Sequence, residues 1–139
     1  MSYSILIVDD SLPMRSVIKR TIKAAGYGNA DLLEAANGQE AIDLLKNSWV
    51  DIIMTDYNMP VMNGLEFIKA IKKNEISKDI PVVVISTEGN ESKIKEFMDS
   101  GAAGYITKPF TAETIRDLIV KILGEVDYEE DLDESDDDF

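Results

Sequence analysis

Five short apolar runs rich in β-branched residues alternate along the chain with five longer stretches whose apolar residues recur every three or four positions. The runs fall at Ser4–Val8, Asp31–Ala35, Asp51–Thr55, Pro81–Ser86 and Gly104–Thr107. Each is long enough for a strand, and each gap holds one helix, which is the pattern of βα units around a parallel sheet. The third and fourth runs, DIIMT and PVVVIS, are almost continuously apolar, as central strands covered on both faces must be.

The stretches between them show helical spacing: Met14, Val17, Ile18, Ile22 and Ala25 in the first, Ala41, Leu44 and Leu45 in the second. Leu65, Phe67, Ile68 and Ile71 continue the series, followed by Ile94, Phe97 and Met98, then Ile115, Leu118, Ile119 and Ile122. Pro13 suits a first helical turn, Asn37 and Thr111 can cap N-termini, and Gly26, Gly101 and Gly124 stand where helices should stop. The pattern predicts an α/β, flavodoxin-like (βα)5 fold. Its doubly wound sheet of five parallel strands would have the order 2-1-3-4-5 and right-handed crossovers. In such a sheet, sites form at the carboxyl ends of the strands beside the switch point between strands 1 and 3.

Charge divides the chain in two. The whole carries −13, and residues 125–139 hold ten Asp or Glu and no Lys or Arg, which leaves only −3 on residues 1–124. The expected organisation is therefore one domain over 1–124 and an acidic tail over 125–139, disordered and solubilising by its composition. Acidity of this kind argues against nucleic-acid binding, which needs Lys and Arg to displace phosphate counterions. No apolar run is long enough to span a membrane and no basic leader precedes the first strand, so a cytoplasmic location is expected. Cysteine and histidine are both absent, so chemistry must run on carboxylates, hydroxyls and amines.

Strand 1 runs into Asp9 and Asp10, and strand 3 ends at Asp56. The predicted strand order brings these three carboxylates to one edge, where they must either repel, with raised pKa values, or share a cation. All-oxygen ligation with room for water favours Mg²⁺, with Mn²⁺ also possible. Any one of these aspartates could be an ordinary cap or turn former; the three together are not so easily dismissed. Strand 4 ends in Ser86-Thr87 and strand 5 in Lys108-Pro109-Phe110. An ammonium and a hydroxyl beside an acid trio describe a phosphoryl-transfer site with a carboxylate nucleophile.

The segments ILIVDD, MTDYNMPVMNG, VVVIST and GYITKPFTAET, in this order, resemble the receiver domains of two-component response regulators over nearly all of 4–123. The resemblance implies a signalling switch, not a turnover enzyme, with slow self-catalysed phosphorylation and dephosphorylation. It implies that Asp56 is the phosphoacceptor, that Asp10, Asp56 and the backbone carbonyl of Asn58 ligate Mg²⁺, and that Asp9 acts largely through water. Ser86 takes the switch-hydroxyl position, Lys108 the phosphoryl-clamping one and Tyr105 the aromatic switch position, and the Lys108-Pro109 bond is expected cis. Ser86 stands where Thr is commoner, and Thr87 where many members carry a smaller residue; both differences bear on rates. The implied donor is a histidine kinase. The implied target docks on the face made by helix 4, strand 5 and helix 5, such as a flagellar switch or a phosphatase, and the receiver acts as a monomer.

Two other readings use the same fold. An FMN-binding electron carrier would need a hydroxyl- and Gly-rich phosphate loop after strand 1, where this chain has Asp-Asp-Ser-Leu-Pro-Met. A metabolite phosphatase or phosphotransferase built on an aspartyl phosphate would need a cap or long insertions for its substrate, and every loop here is short.

Overall fold

In the computed structural model, residues 3–87 and 89–124 are described; the expected tail over 125–139 lies outside them. In chain order the elements are β1 (Ser4–Val8), α1 (Leu12–Ala24), β2 (Asp31–Ala35), α2 (Gly38–Leu45), β3 (Ile52–Asp56), α3 (Gly64–Lys73), β4 (Val82–Ser86), α4 (Glu91–Asp99), β5 (Gly104–Thr107) and α5 (Ala112–Leu123). The strands form one parallel sheet in the order β2-β1-β3-β4-β5. The predicted flavodoxin-like topology is therefore the observed one.

Local chemistry sets the ends of the helices. Asn37 and Thr111 cap α2 and α5 as expected, each accepting from a main-chain N–H three residues on. Ser11, Asn63 and Asn90 do the same for α1, α3 and α4, and Asn63 closes a reciprocal capping box with Glu66. Gly26, Gly101 and Gly124 leave α1, α4 and α5 with φ of 108°, 109° and 89°, values that glycine adopts at no steric cost.

Two strands are shifted from their sequence-based bounds. β3 starts at Ile52, because the Asp51 carboxylate turns back and accepts from the N–H of Ser4 at 2.8 Å, closing the start of β1. β4 starts at Val82: Pro81 offers its carbonyl to the N–H of Ile53 at 2.9 Å but has no N–H of its own to extend the ladder. Helical spacing also counted two residues too many for the interior. Val17 and Met98 are 38% and 43% exposed, each one position, and hence about 100° around its helix, from a fully packed neighbour, Ile18 or Phe97.

Alternate residues of the strands feed two cores. On one face Leu6, Val8, Ile53, Val82 and Val84 meet Ala41 and Leu45 of α2, Phe67, Ile68 and Ile71 of α3, and Phe97 of α4. On the other Ile5, Ile7, Ile52, Met54, Val83 and Ile85 meet Ile18 and Ile22 of α1 and Ile115 and Ile119 of α5. Both faces being covered, the polar groups of the site can only emerge at the sheet's ends. No helix among the described residues is long and apolar enough to cross a membrane.

Candidate functional site

Strand register delivers the site. Val8 pairs with Thr55, so the residues that follow, Asp9 and Asp56, leave adjacent strands at the same level. Asp56 in turn pairs with Ile85, one residue before Ser86, and Ser86 pairs with Thr107, one residue before Lys108. The main chain of Lys108 is fastened to this edge by its N–H, which donates to the carbonyl of Ser86 at 2.7 Å.

The side chains then converge. Asp9, Asp10 and Asp56 each offer a carboxylate oxygen within 4.8 Å of the others. Lys108 Nζ lies 3.3 Å from Asp56 Oδ1 and 3.8 Å from Asp9 Oδ2. Burial raises the carboxyl pKa of Asp56 above the usual range, the Lys108 ammonium opposing the rise and the Asp9 charge adding to it. Asp9 is raised for the same first reason, against the N–H of Ser11, which donates to its Oδ1 at 2.9 Å. Its other oxygen, Oδ2, is buried and has no hydrogen-bond partner among the described residues. Acid groups gathered and desolvated in this way carry surplus negative charge that one ammonium does not satisfy, and an all-oxygen donor set suits a hard divalent cation.

The remaining predicted residues sit at graded distances from this cluster. Ser86 is buried at the end of β4. Asn58 is exposed in the loop two residues beyond Asp56. Tyr105 is half-buried inside β5, opposite Val84, with its ring 5.7 Å from that of Phe97. The Lys108-Pro109 bond is cis.

Sequence reasoning missed two sets of contacts around the site. Tyr57, next to Asp56, meets Phe97 edge-on at 5.2 Å, and Lys93 of α4 donates to its hydroxyl at 2.9 Å. Phe97 thus joins Tyr57 to Tyr105 in one row of rings beneath α4. Arg15 of α1 donates from Nε to Glu34 Oε1 at 2.9 Å and from Nη1 to the carbonyl oxygen of Asp9, while Lys19 donates to Glu34 Oε2 at 2.8 Å. The hydrogen bond from Lys19 is the main cause holding the Glu34 carboxyl below the usual range. A charged residue in the middle of a strand, Glu34 in DLLEA, was the available signal.

The sequence profile of the response regulator receiver domain matches residues 5–120. The chain belongs to the response regulator receiver family. This receiver is 40% identical over 121 residues to the chemotaxis protein CheY homolog of Campylobacter jejuni, covering 86% of this chain and 92% of that one. Among solved structures it is similar to the chemotaxis response regulator CheY4 of Vibrio cholerae, with a TM-score of 0.78 and 34% identity over 88% of this chain and 99% of that one. It also resembles the phosphorylated cyanobacterial phytochrome response regulator RcpA, with a TM-score of 0.77 and 26% identity over 88% and 95% of the two chains. The family resemblance and the fold expected from the sequence are both established by these matches. The receiver is thus a CheY-like domain of the two-component type.

Proposed function

We propose that this receiver is a phosphorylation switch of the chemotaxis type, in which Asp56 accepts a phosphoryl group from a histidine kinase or a small phosphodonor. The observation that carries the reading is the meeting of Asp9, Asp10, Asp56 and Lys108 at the carboxyl ends of β1, β3 and β5. A carboxylate oxygen of Asp56 attacks phosphorus while the bond from phosphorus to the donor's imidazole nitrogen or acyl oxygen breaks, and the donor leaves with that electron pair. Lys108, already within 3.3 Å of Asp56 Oδ1, moves its charge onto a phosphoryl oxygen, and Ser86 donates its hydroxyl to another.

Asp10, Asp56 and the backbone carbonyl of Asn58 would hold Mg²⁺ directly, with Asp9 acting through water; Asp9 Oδ2, buried and accepting no hydrogen bond among the described residues, fits such a group. When bound, the ion supplies neutralisation of the carboxylates and of the incoming phosphoryl oxygens. Loss of the ionic contact between Lys108 and Asp56, together with the new bond to Ser86, would bias Tyr105 and the face of α4, β5 and α5 toward a form that a target protein prefers. A flagellar switch component or a phosphatase is the kind of target meant, and the relatives named for chemotaxis support that choice.

Intact-mass measurement after acetyl phosphate and Mg²⁺ tests the assignment. One added phosphoryl group is expected on the native chain and none on Asp56→Asn. A phosphorylated Asp56→Asn species would place the acceptor elsewhere.

A further inference from the structure

Asp10 is exposed, and among the described residues its carboxylate makes no hydrogen bond or ion pair. With no side-chain partner to hold it, the region its carboxylate can reach is set by where the backbone places its Cα. That backbone is gripped from α1: Arg15 Nη1 donates to the carbonyl oxygen of Asp9 at 2.6 Å. This carbonyl shares one rigid plane with the nitrogen of Asp10, so fixing the oxygen fixes the plane from which Asp10 springs. The guanidinium is itself held in place, because its Nε donates to Glu34 on the neighbouring edge strand β2 and Lys19 braces the other oxygen of that carboxylate. Only 14% of the Arg15 side chain is exposed.

We propose that Arg15 is a positioning residue for the cation site, aiming the Asp10 carboxylate by clamping the Asp9–Asp10 peptide against Glu34. The proposal rests on the metal-dependent reading above. It asks for arginine because the planar guanidinium holds its Nε and Nη1 donors at a fixed spacing, one on a carboxylate and one on a carbonyl, whereas the donors of an ammonium all radiate from one atom.

Electrostatics alone makes the opposite forecast, and this separates the two. Arg15 is a cation close to the acid cluster, so removing it should tighten binding of a second cation if charge were all that mattered. If Arg15 positions Asp10, removing it weakens binding instead. Lys19 is the internal control: it donates to the same carboxylate but does not touch Asp9.

The experiment is calorimetric titration of MgCl₂ into the metal-stripped full chain and its Arg15→Met and Lys19→Met variants, followed by phosphorylation with acetyl phosphate at saturating Mg²⁺. Arg15→Met should bind Mg²⁺ on the order of tenfold more weakly, the usual effect of losing a group that orients a metal ligand. Lys19→Met should bind no more weakly than the native chain. Saturating Mg²⁺ should return the phosphorylation rate of Arg15→Met to within about twofold of native, separating positioning from a direct part in transfer. Should Arg15→Met not fold, Arg15→Lys keeps the charge and loses one of the two contacts, and weaker binding is again expected. Affinity in either Arg15 variant equal to or tighter than native overturns the proposal. A native chain that takes up no Mg²⁺ overturns the underlying metal reading, and is recognised by failure in all three proteins.

Discussion

Asp56 is placed where burial disfavours its charge. Burial raises the carboxyls of Asp9 and Asp56 above their ordinary value of 3.8, so between that value and the raised one the folded chain binds more protons than the unfolded chain. Stability of the metal-free protein must then fall as pH climbs through this window and stay lower above it. Asp56→Asn keeps the shape and removes the charge. It should raise metal-free stability at pH 7.5 by on the order of 1 kcal/mol, within the usual range for single substitutions, and by less at pH 4. Urea unfolding in the presence of EDTA at the two pH values measures this, and a gain of equal size at both would show that desolvated charge is not the cause.

At the scale of elements, the site depends on how closely α3 approaches the end of β3. A Cβ on Gly64 would lie 2.7 Å from the carbonyl oxygen of Asp56 and 3.0 Å from Tyr57 Cα, both backbone atoms with no rotamer to yield. A Cβ on Gly104 would lie 2.9 Å from Leu118 Cδ1, the end of a side chain that can turn. Gly64→Ala should therefore cost about 1–3 kcal/mol and weaken Mg²⁺ binding, while Gly104→Ala should cost less and leave binding alone. Comparing urea midpoints and Mg²⁺ titrations of the two variants checks both parts.

The elements themselves were legible because their signals are local. Alternation, periodicity and the caps at Asn37 and Thr111 depend on neighbours within a few residues, and all five strands and five helices appear where they point. The convergence of Asp9, Asp10, Asp56 and Lys108 was legible because each lies at, or within two residues after, the carboxyl end of a strand, so strand order gathers them. What escaped was set by contacts distant in sequence. The start of β1 borrows Asp51 from 47 positions away, and Arg15 finds Glu34 across 19. Lys93 reaches Tyr57 across 36, and no periodicity encodes such a pairing. Val17 and Met98 were misplaced for a different reason: spacing gives the width of a helix's apolar stripe only to about one residue.

For the molecule as a whole, the sheet is a partition. It has an α1 and α5 core on one side and an α2, α3 and α4 core on the other, with no side chain shared between them among the described residues. Ile18 and Ile68 lie on opposite sides, whereas Ile53 and Ile68 lie together. Each Ile→Val change should cost about 0.5–1.5 kcal/mol. The costs of Ile18→Val and Ile68→Val should add to within roughly 0.5 kcal/mol, and those of Ile53→Val and Ile68→Val need not. Urea unfolding of the two double variants against their singles decides it. Additivity of that kind has a consequence for how such a chain can vary over generations: substitutions gathered in one half need no matching change in the other. Apart from residues such as Arg15 and Gly64, which act on the strand ends directly, the helices of either side can thus drift while the opposite side still holds the strand ends, and the carboxylates on them, in register.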